Sequence, residues 1–211
     1  QYKADGAYFA KWRAVYDITD KKPSMLAIQT NAELLARYAA NCQAAGIVPI
    51  VEPEVLMDGD HTIERCYDVT IRVLRAVFTA LVRHKVSLEH MILKPNMVVP
   101  GKDCAQQASA KQIATLTIDA FNKTVPVAVP TIAFLSGGQS DVEATENLNA
   151  MNAMGPHPWG LSYSYGRALQ APALSAWQGD DTNIPVAQEA LRKRCQLNSA
   201  ACLGEYSTTQ E

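Results

Sequence analysis

Short apolar runs alternate with longer amphipathic stretches along this chain, and the alternation repeats five times. Trp12–Ile18 predicts a first strand, followed by a helix over Asn31–Ala45 that stops at Gly46, with apolar residues at 34, 35, 38 and 42 on one face. Ile47–Val51 predicts a second strand, and a long helix runs from about Asp60 to Arg83. Met91–Lys94 is a third apolar run, then a loop rich in Pro and Gly and a helix near Ser109–Asn122. Val129–Leu135 predicts the fourth strand, with a helix near Ser140–Met151. Trp159–Tyr163 predicts the fifth, with a helix beginning at about Tyr165, and a last helix, about Ile184–Ser199, precedes a polar tail.

Strands that alternate regularly with helices imply a parallel sheet with helices packed on it, an α/β fold. No Pro/Ser-rich linker divides the chain, so residues 1–211 read as one domain. A doubly wound sheet and a (β/α)8 TIM barrel both produce this pattern. Polar residues at the end of every predicted strand favour the barrel, because an open sheet gathers its site at one switch point. No strand is followed by G-x-G-x-x-G, and Gly137-Gly138 alone is a weak phosphate signal. Five units do not close an eight-stranded barrel. The expectation is a partial chain holding roughly the last five βα units plus a C-terminal helix, with about three units preceding it. The opening Gln1-Tyr2-Lys3-Ala4-Asp5-Gly6 agrees, since it reads as the interior of a domain rather than a start or a targeting segment.

Composition narrows the function classes. An apolar fraction of 48% and a charged fraction of 19% are ordinary for a globular protein, and 211 residues can bury a large core. A formal net charge of -2 carries no electrostatic footprint for nucleic acid or an anionic membrane. The chain has no apolar run long enough to span a bilayer. Five cysteines without C-x-x-C spacing predict reduced thiols of a cytosolic or stromal protein. Four histidines without an H-x-x-x-H pair give no support to a zinc or iron site, and no cofactor is expected.

The candidate chemistry lies in polar residues that recur at similar intervals. Lys11 to Glu52 is 41 residues, Glu52 to Lys94 is 42, Lys94 to Ser136 is 42, and Ser136 to Ser164 is 28. Side chains two apart share a strand face, which pairs Lys11 with Arg13 and Glu52 with Glu54 and turns Trp12 toward the helices. Taken alone, each pair also fits a structural ion pair at a barrel end, and a strand-terminal lysine fits a snorkelling surface residue. So many charged groups on three apolar strands are expensive to bury without purpose, and together they favour catalysis. An ordinary lysine offers its free amine in a fraction of only about 1 in 2,500 at pH 7. Burial and a neighbouring cation favour that amine, which attacks a ketone and forms an iminium, an electron sink for breaking a carbon–carbon bond. Glu52 or Glu54 is placed to move the protons this requires. Ser136-Gly137-Gly138 and Ser164-Tyr165-Gly166-Arg167 then offer backbone amides, a helix N-terminus and a guanidinium fork to a phosphate, though two turns and a helix cap would look alike. An anion site beside an iminium lysine points to a phosphorylated keto-sugar.

These same residues resemble class I fructose-1,6-bisphosphate aldolase over nearly the whole chain. The specific stretches are Tyr2–Gly6 leading into Phe9–Arg13, Gly46–Glu54, Leu93–Val98, Phe134–Ser140 and Ser162–Ala171. The resemblance implies a metal-independent (β/α)8 lyase that cleaves fructose 1,6-bisphosphate reversibly to dihydroxyacetone phosphate and glyceraldehyde 3-phosphate. It assigns Lys94 as the Schiff-base lysine, Glu52 as the acid/base for imine formation, Glu54 as its neighbour in proton transfer and Lys11 as the second active-site lysine. It places Arg13 near the distal phosphate. Ser136, Gly137, Gly138, Ser164, Gly166 and Arg167 become the site for the phosphate on the ketose head. It implies a homotetramer, actin as a further partner of some members, and a cytoplasmic location with the plastid as alternative. Competing readings are another Schiff-base sugar-phosphate aldolase or transaldolase, or a non-catalytic scaffold on the cytoskeleton. The chain departs from the family in carrying Glu89-His90 where Glu-Gly is usual, a tolerated change if His90 faces away from the lysine. The family's aspartate on the first barrel strand, lysine on the third and tail tyrosine have no counterpart in these 211 residues, which are therefore expected to be poorly active alone.

Overall fold

The computed structural model describes residues Gln1–Glu211. Its strands are β1 (Phe9–Tyr16), β2 (Val48–Val55), β3 (Ile92–Leu93), β4 (Thr131–Phe134) and β5 (Gly160–Tyr163). The helices are α1 (Met25–Ala44), α2 (Ile63–Arg83), α3 (Ala110–Asn122), α4 (Asp141–Asn152), α5 (Arg167–Trp177) and α6 (Ile184–Cys202). Every strand pairing is parallel, and the spatial order is β1-β2-β3-β4-β5. A doubly wound sheet reverses its order at a switch point. This sheet advances in one direction only, as successive units of the C-terminal portion of a (β/α)8 barrel do.

Alternation along the strands sorts side chains onto two faces. Ala14, Tyr16, Val51, Val55, Leu93, Ile132, Phe134 and Leu161 are buried in one core with the helices. Phe121 of α3 stacks on Phe134 with ring centroids 5.7 Å apart and meets the edge of Trp159 at 6.4 Å. Trp12 lies on this side too, 6.0 Å from the ring of Tyr38 on α1, as the alternation predicts. Lys11, Arg13, Glu52, Glu54 and Lys94 therefore share the opposite face. No helix is long and apolar enough to cross a membrane.

Several boundaries differ from the sequence expectation, each for a physical reason. β1 begins at Phe9 and ends at Tyr16, because pairing in register with Val48–Val55 continues through polar positions that break an apolar run. Glu52 and Glu54 thus lie within β2 rather than after it, and Lys11 and Arg13 lie within β1, which corrects the strand-end placement. β2 runs on past Glu52 although it contains Pro49 and Pro53. Its Val48 and Leu56 amides donate to the Tyr8 and Tyr16 carbonyls, so its even-numbered amides face β1. The two prolines fall on the side facing β3, which pairs only at Ile50 and Val51, so little of the ladder is lost.

Helix α1 begins at Met25, not Asn31, because the Ser24 side chain accepts from the Ala27 amide and caps it. Its buried stripe is Ile28, Ala32, Leu35, Ala36 and Ala39. Of the four apolar positions expected on that face only Leu35 is fully buried; three of the five buried positions are alanines. The helix ends in a Schellman motif: Gly46 donates to Gln43 O at 3.0 Å and Ile47 to Cys42 O at 2.9 Å, with Gly46 at φ +69. Helix α5 starts at Arg167, two residues after the expected start, and α6 continues to Cys202. The capped starts of α3 and α4, at Ser109 and Ser140, agree with expectation.

Candidate active site

Register alone brings the charged residues together. Arg13 stands opposite Glu52 across β1 and β2, and the pair Val51–Leu93 makes Lys94 the next residue beside Glu52. The Lys94 amide extends that ladder, donating to Val51 O at 2.8 Å. Glu52 sits between two ammonium groups: Lys11 Nζ is 3.0 Å from Oε2 and Lys94 Nζ is 3.1 Å from Oε1. The carboxylate is 3% exposed. The side chain of Lys94 is 13% exposed against 44% for Lys11, which separates a sheltered amine from an open one. Lys11 approaches Oε2 off the hydrogen-bond direction, so that buried oxygen has a cation nearby but no donor. It keeps a lone pair free to take a proton. Arg13 Nε is 2.5 Å from Glu54 Oε2, and this hydrogen bond holds the guanidinium above its ordinary pKa.

Removing one partner of such a buried group is costly, because the charge left behind has lost its water as well as its counter-ion. The arrangement is therefore interdependent. The carboxylate of Glu52 stands between the ammonium groups of Lys11 and Lys94. Asn96 supports this corner. Its Oδ1 accepts from the Val55 amide at 3.0 Å, and its Nδ2 donates to Thr70 Oγ1 at 3.2 Å and to Met97 O at 3.0 Å. Sequence reasoning did not single it out, although a polar residue wedged between Pro95 and the apolar Met97-Val98 was the available signal.

At the end of the neighbouring strand, Leu135 donates to Pro95 O at 3.1 Å, which places Ser136 beside the segment that follows Lys94. Gly137 and Gly138 adopt φ +62 and +102, a region that favours glycine. The loop is propped from behind: Gln139 Nε2 donates to Ser136 O at 2.9 Å, and Asn147 Nδ2 donates to Gln139 Oε1 at 2.6 Å. Ser140 and Glu143 close it with a capping box on α4. On the next strand, Ser164 N–H donates to Phe134 O at 2.8 Å. Gly166 is the N-cap of α5 and has no side chain to satisfy the first amides, so they remain open at a helix N-terminus. Arg167 is exposed and lines a cleft of about 320 Å3 with Gln139, Ser140 and Ala171. Tyr165, another residue the sequence did not flag, pins this loop by donating to Ala144 O at 2.8 Å. Burial pushes its phenol well above the usual range, so it remains a neutral donor.

His90 lies in a short turn at the opposite end of β3, with Nδ1 2.8 Å from Ser87 Oγ, away from Lys94. All five cysteines are free thiols. No group of three or more His, Cys, Asp or Glu side chains is arranged to hold a metal ion. A cleft of about 750 Å3 between α1 and α2 contains none of the residues above.

The model of the glycolytic family "Fructose-bisphosphate aldolase class-I" matches residues 1–211. Among similar proteins, fructose-bisphosphate aldolase B of Gallus gallus is 57% identical over 210 residues, covering 99% of this chain and 58% of that protein. Fructose-bisphosphate aldolase C of Rattus norvegicus is 56% identical over 98% of this chain and 57% of its own length. A crystal structure of fructose-bisphosphate aldolase from Plasmodium falciparum, in complex with TRAP and a small-molecule inhibitor, superposes with TM-score 0.96 at 50% identity. It covers 98% of this chain and 60% of that one. The chain thus spans under two thirds of the relatives it matches.

Proposed function

The chain belongs to the class I fructose-bisphosphate aldolase family, and from that premise we propose that its whole protein cleaves fructose 1,6-bisphosphate reversibly through a Schiff base on Lys94. The observation that carries the reading is the carboxylate of Glu52 held within 3.1 Å of Lys94 Nζ and 3.0 Å of Lys11 Nζ on a sheltered strand face.

Glu52 takes a proton from the Lys94 ammonium, and the freed lone pair forms the Nζ–C2 bond to the ketone. The former carbonyl oxygen receives protons, again by way of Glu52, and leaves as water, giving the iminium. The C3–C4 bond then breaks with its electron pair flowing to the iminium to give an enamine, while the C4 hydroxyl gives its proton to the Glu52 carboxylate, the source of the later proton at C3, and departs as the aldehyde. Protonation at C3 and attack of water at C2 restore Lys94 and release dihydroxyacetone phosphate. Lys11 keeps Glu52 in place and adds positive charge beside the departing oxygen. Glu54, fixed by Arg13, is the adjoining carboxylate. Ser136, Gly137, Gly138, Ser164, Gly166 and Arg167 receive the head phosphate, and Arg13 faces the distal one.

Coupled assay of the full-length protein tests this reading. Triose phosphate release is expected to be insensitive to chelators; loss of activity on chelation contradicts a lysine mechanism. Arg13→Met separates a bisphosphate enzyme from a monophosphate one. KM for fructose 1,6-bisphosphate is expected to rise about tenfold, the scale of one charge-assisted contact, with a smaller change for fructose 1-phosphate. Equal changes favour the other Schiff-base aldolases. A homotetramer, actin binding, a cytoplasmic location and a single partial barrel domain over residues 1–211 rest on the family resemblance. Sedimentation of the full-length protein and co-pelleting with filamentous actin test the first two.

A further inference from the structure

Three loops meet beyond β2, β3 and β4. The segment after β3 folds back on the segment after β2 through three backbone bonds. Gly101 donates to His61 O at 2.8 Å, Lys102 to Met57 O at 2.8 Å and Asp103 to Gly59 O at 2.9 Å. A β-carbon on Gly101 would stand 2.2 Å from Gly59 O, so only glycine permits this approach. The backbone of Lys102 is fixed by this clamp before its side chain makes any contact.

That side chain reaches across to the β4–α4 loop. Its Cε and Nζ each lie 3.0 Å from the point where a β-carbon on Gly138 would be, so the ammonium occupies room that exists because residue 138 has no side chain. Asp58 Oδ1 holds Nζ from the other side at 3.0 Å, and the Lys102 side chain is 41% exposed. An ammonium has three donors, and Asp58 engages one. The clamp already joins the two loops through backbone, so the lysine is not needed to staple them.

We propose that Lys102 is a further phosphate ligand, an ammonium anchored by Asp58 against the Ser136-Gly137-Gly138 loop that adds a mobile donor to its fixed amides. The proposal rests on the reading of that loop as the phosphate cradle. It makes Asp58 a competitor for the same ammonium, so the anion affinity of the site depends on which partner Lys102 engages.

Calorimetric titration of the full-length protein with inorganic phosphate, alongside kinetics with fructose 1,6-bisphosphate, tests it. Lys102→Met is expected to weaken phosphate binding about threefold to tenfold and to raise KM more than it lowers kcat. Lys102→Arg, which keeps the cation, is expected to stay within about twofold of wild type. Asp58→Asn, which releases the ammonium, is expected to tighten phosphate binding. Lys123→Met removes a lysine from the far end of α3 as a control for net charge and is expected to leave phosphate affinity unchanged. Wild-type phosphate affinity in Lys102→Met overturns the proposal, as does an Asp58→Asn protein that binds phosphate as weakly as Lys102→Met, the mark of a mere loop staple. The aldolase reading fails separately: a wild-type protein without turnover contradicts it, whatever Lys102 does to phosphate.

Discussion

Glu52 is the residue on which the chemistry turns. It is buried, it has a cation on each side, and one of its oxygens has no hydrogen-bond donor. Glu52→Gln keeps the shape but can neither accept a proton nor neutralise the two lysines. Turnover is expected to fall roughly a hundredfold or more, with imine formation slowed in single-turnover experiments. The variant is also expected to melt earlier than wild type, because Lys94 is left sheltered without its counter-ion. A variant that forms the imine at the wild-type rate contradicts the assigned role. At this scale the sequence was informative where charge interrupts apolar strands, as at Lys11, Glu52 and Lys94. It was uninformative at Lys102 and Tyr165. An exposed lysine in a Pro/Gly-rich loop looks like any surface lysine, and Tyr165 is an ordinary aromatic until its hydroxyl is seen on Ala144 O.

Loops and caps form the next scale, since they set where these residues stand. Ser140 ends the glycine loop and caps α4, accepting from the Glu143 amide at 3.2 Å. Ser140→Ala is expected to cost about 1 kcal/mol in a denaturant titration and to weaken phosphate binding by loosening the loop. Unchanged stability contradicts the capping role. His61 governs a second loop. It is 8% exposed, and burial lowers its pKa; Asp60 and the Val99 backbone oppose this shift and Arg65 adds to it. A depressed folded-state value means that the unfolded chain binds the proton more readily. The contribution of His61 to stability is therefore complete above the ordinary histidine value of about 6.5 and is lost as pH falls below it. Protection of the Gly101 amide, which donates to His61 O, measured against its intrinsic exchange rate at each pH, is expected to fall below that pH in wild type and not in His61→Leu. Identical pH profiles in the two proteins contradict this. Element order and type were legible throughout, and the capped starts of α3 and α4 nearly to the residue. β1 and β2 were misjudged because strand pairing, not apolarity, sets their ends. The α1 stripe was misjudged because three of its five buried positions are alanines.

Alternation along β1, β2 and β3 carries Lys11, Arg13, Glu52, Glu54 and Lys94 to one side of the sheet and leaves the core on the other. That separation leaves the cleft between α1 and α2 without any of the assigned residues, while the ion pairs crowd the opposite face. The face bearing Lys94 carries the charged side chains, whereas Val51 and Leu93 are buried on the face packed against the helices. Chemical reactivity in the intact protein should follow this division. The chain contains ten lysines, so a label placed by chance would spread among them. The decisive measurement is borohydride reduction of the full-length protein with dihydroxyacetone phosphate, followed by peptide mass mapping. The account predicts a single reduced adduct on Lys94. An adduct on Lys11 or any other lysine, or none at all in a folded and active protein, would contradict it.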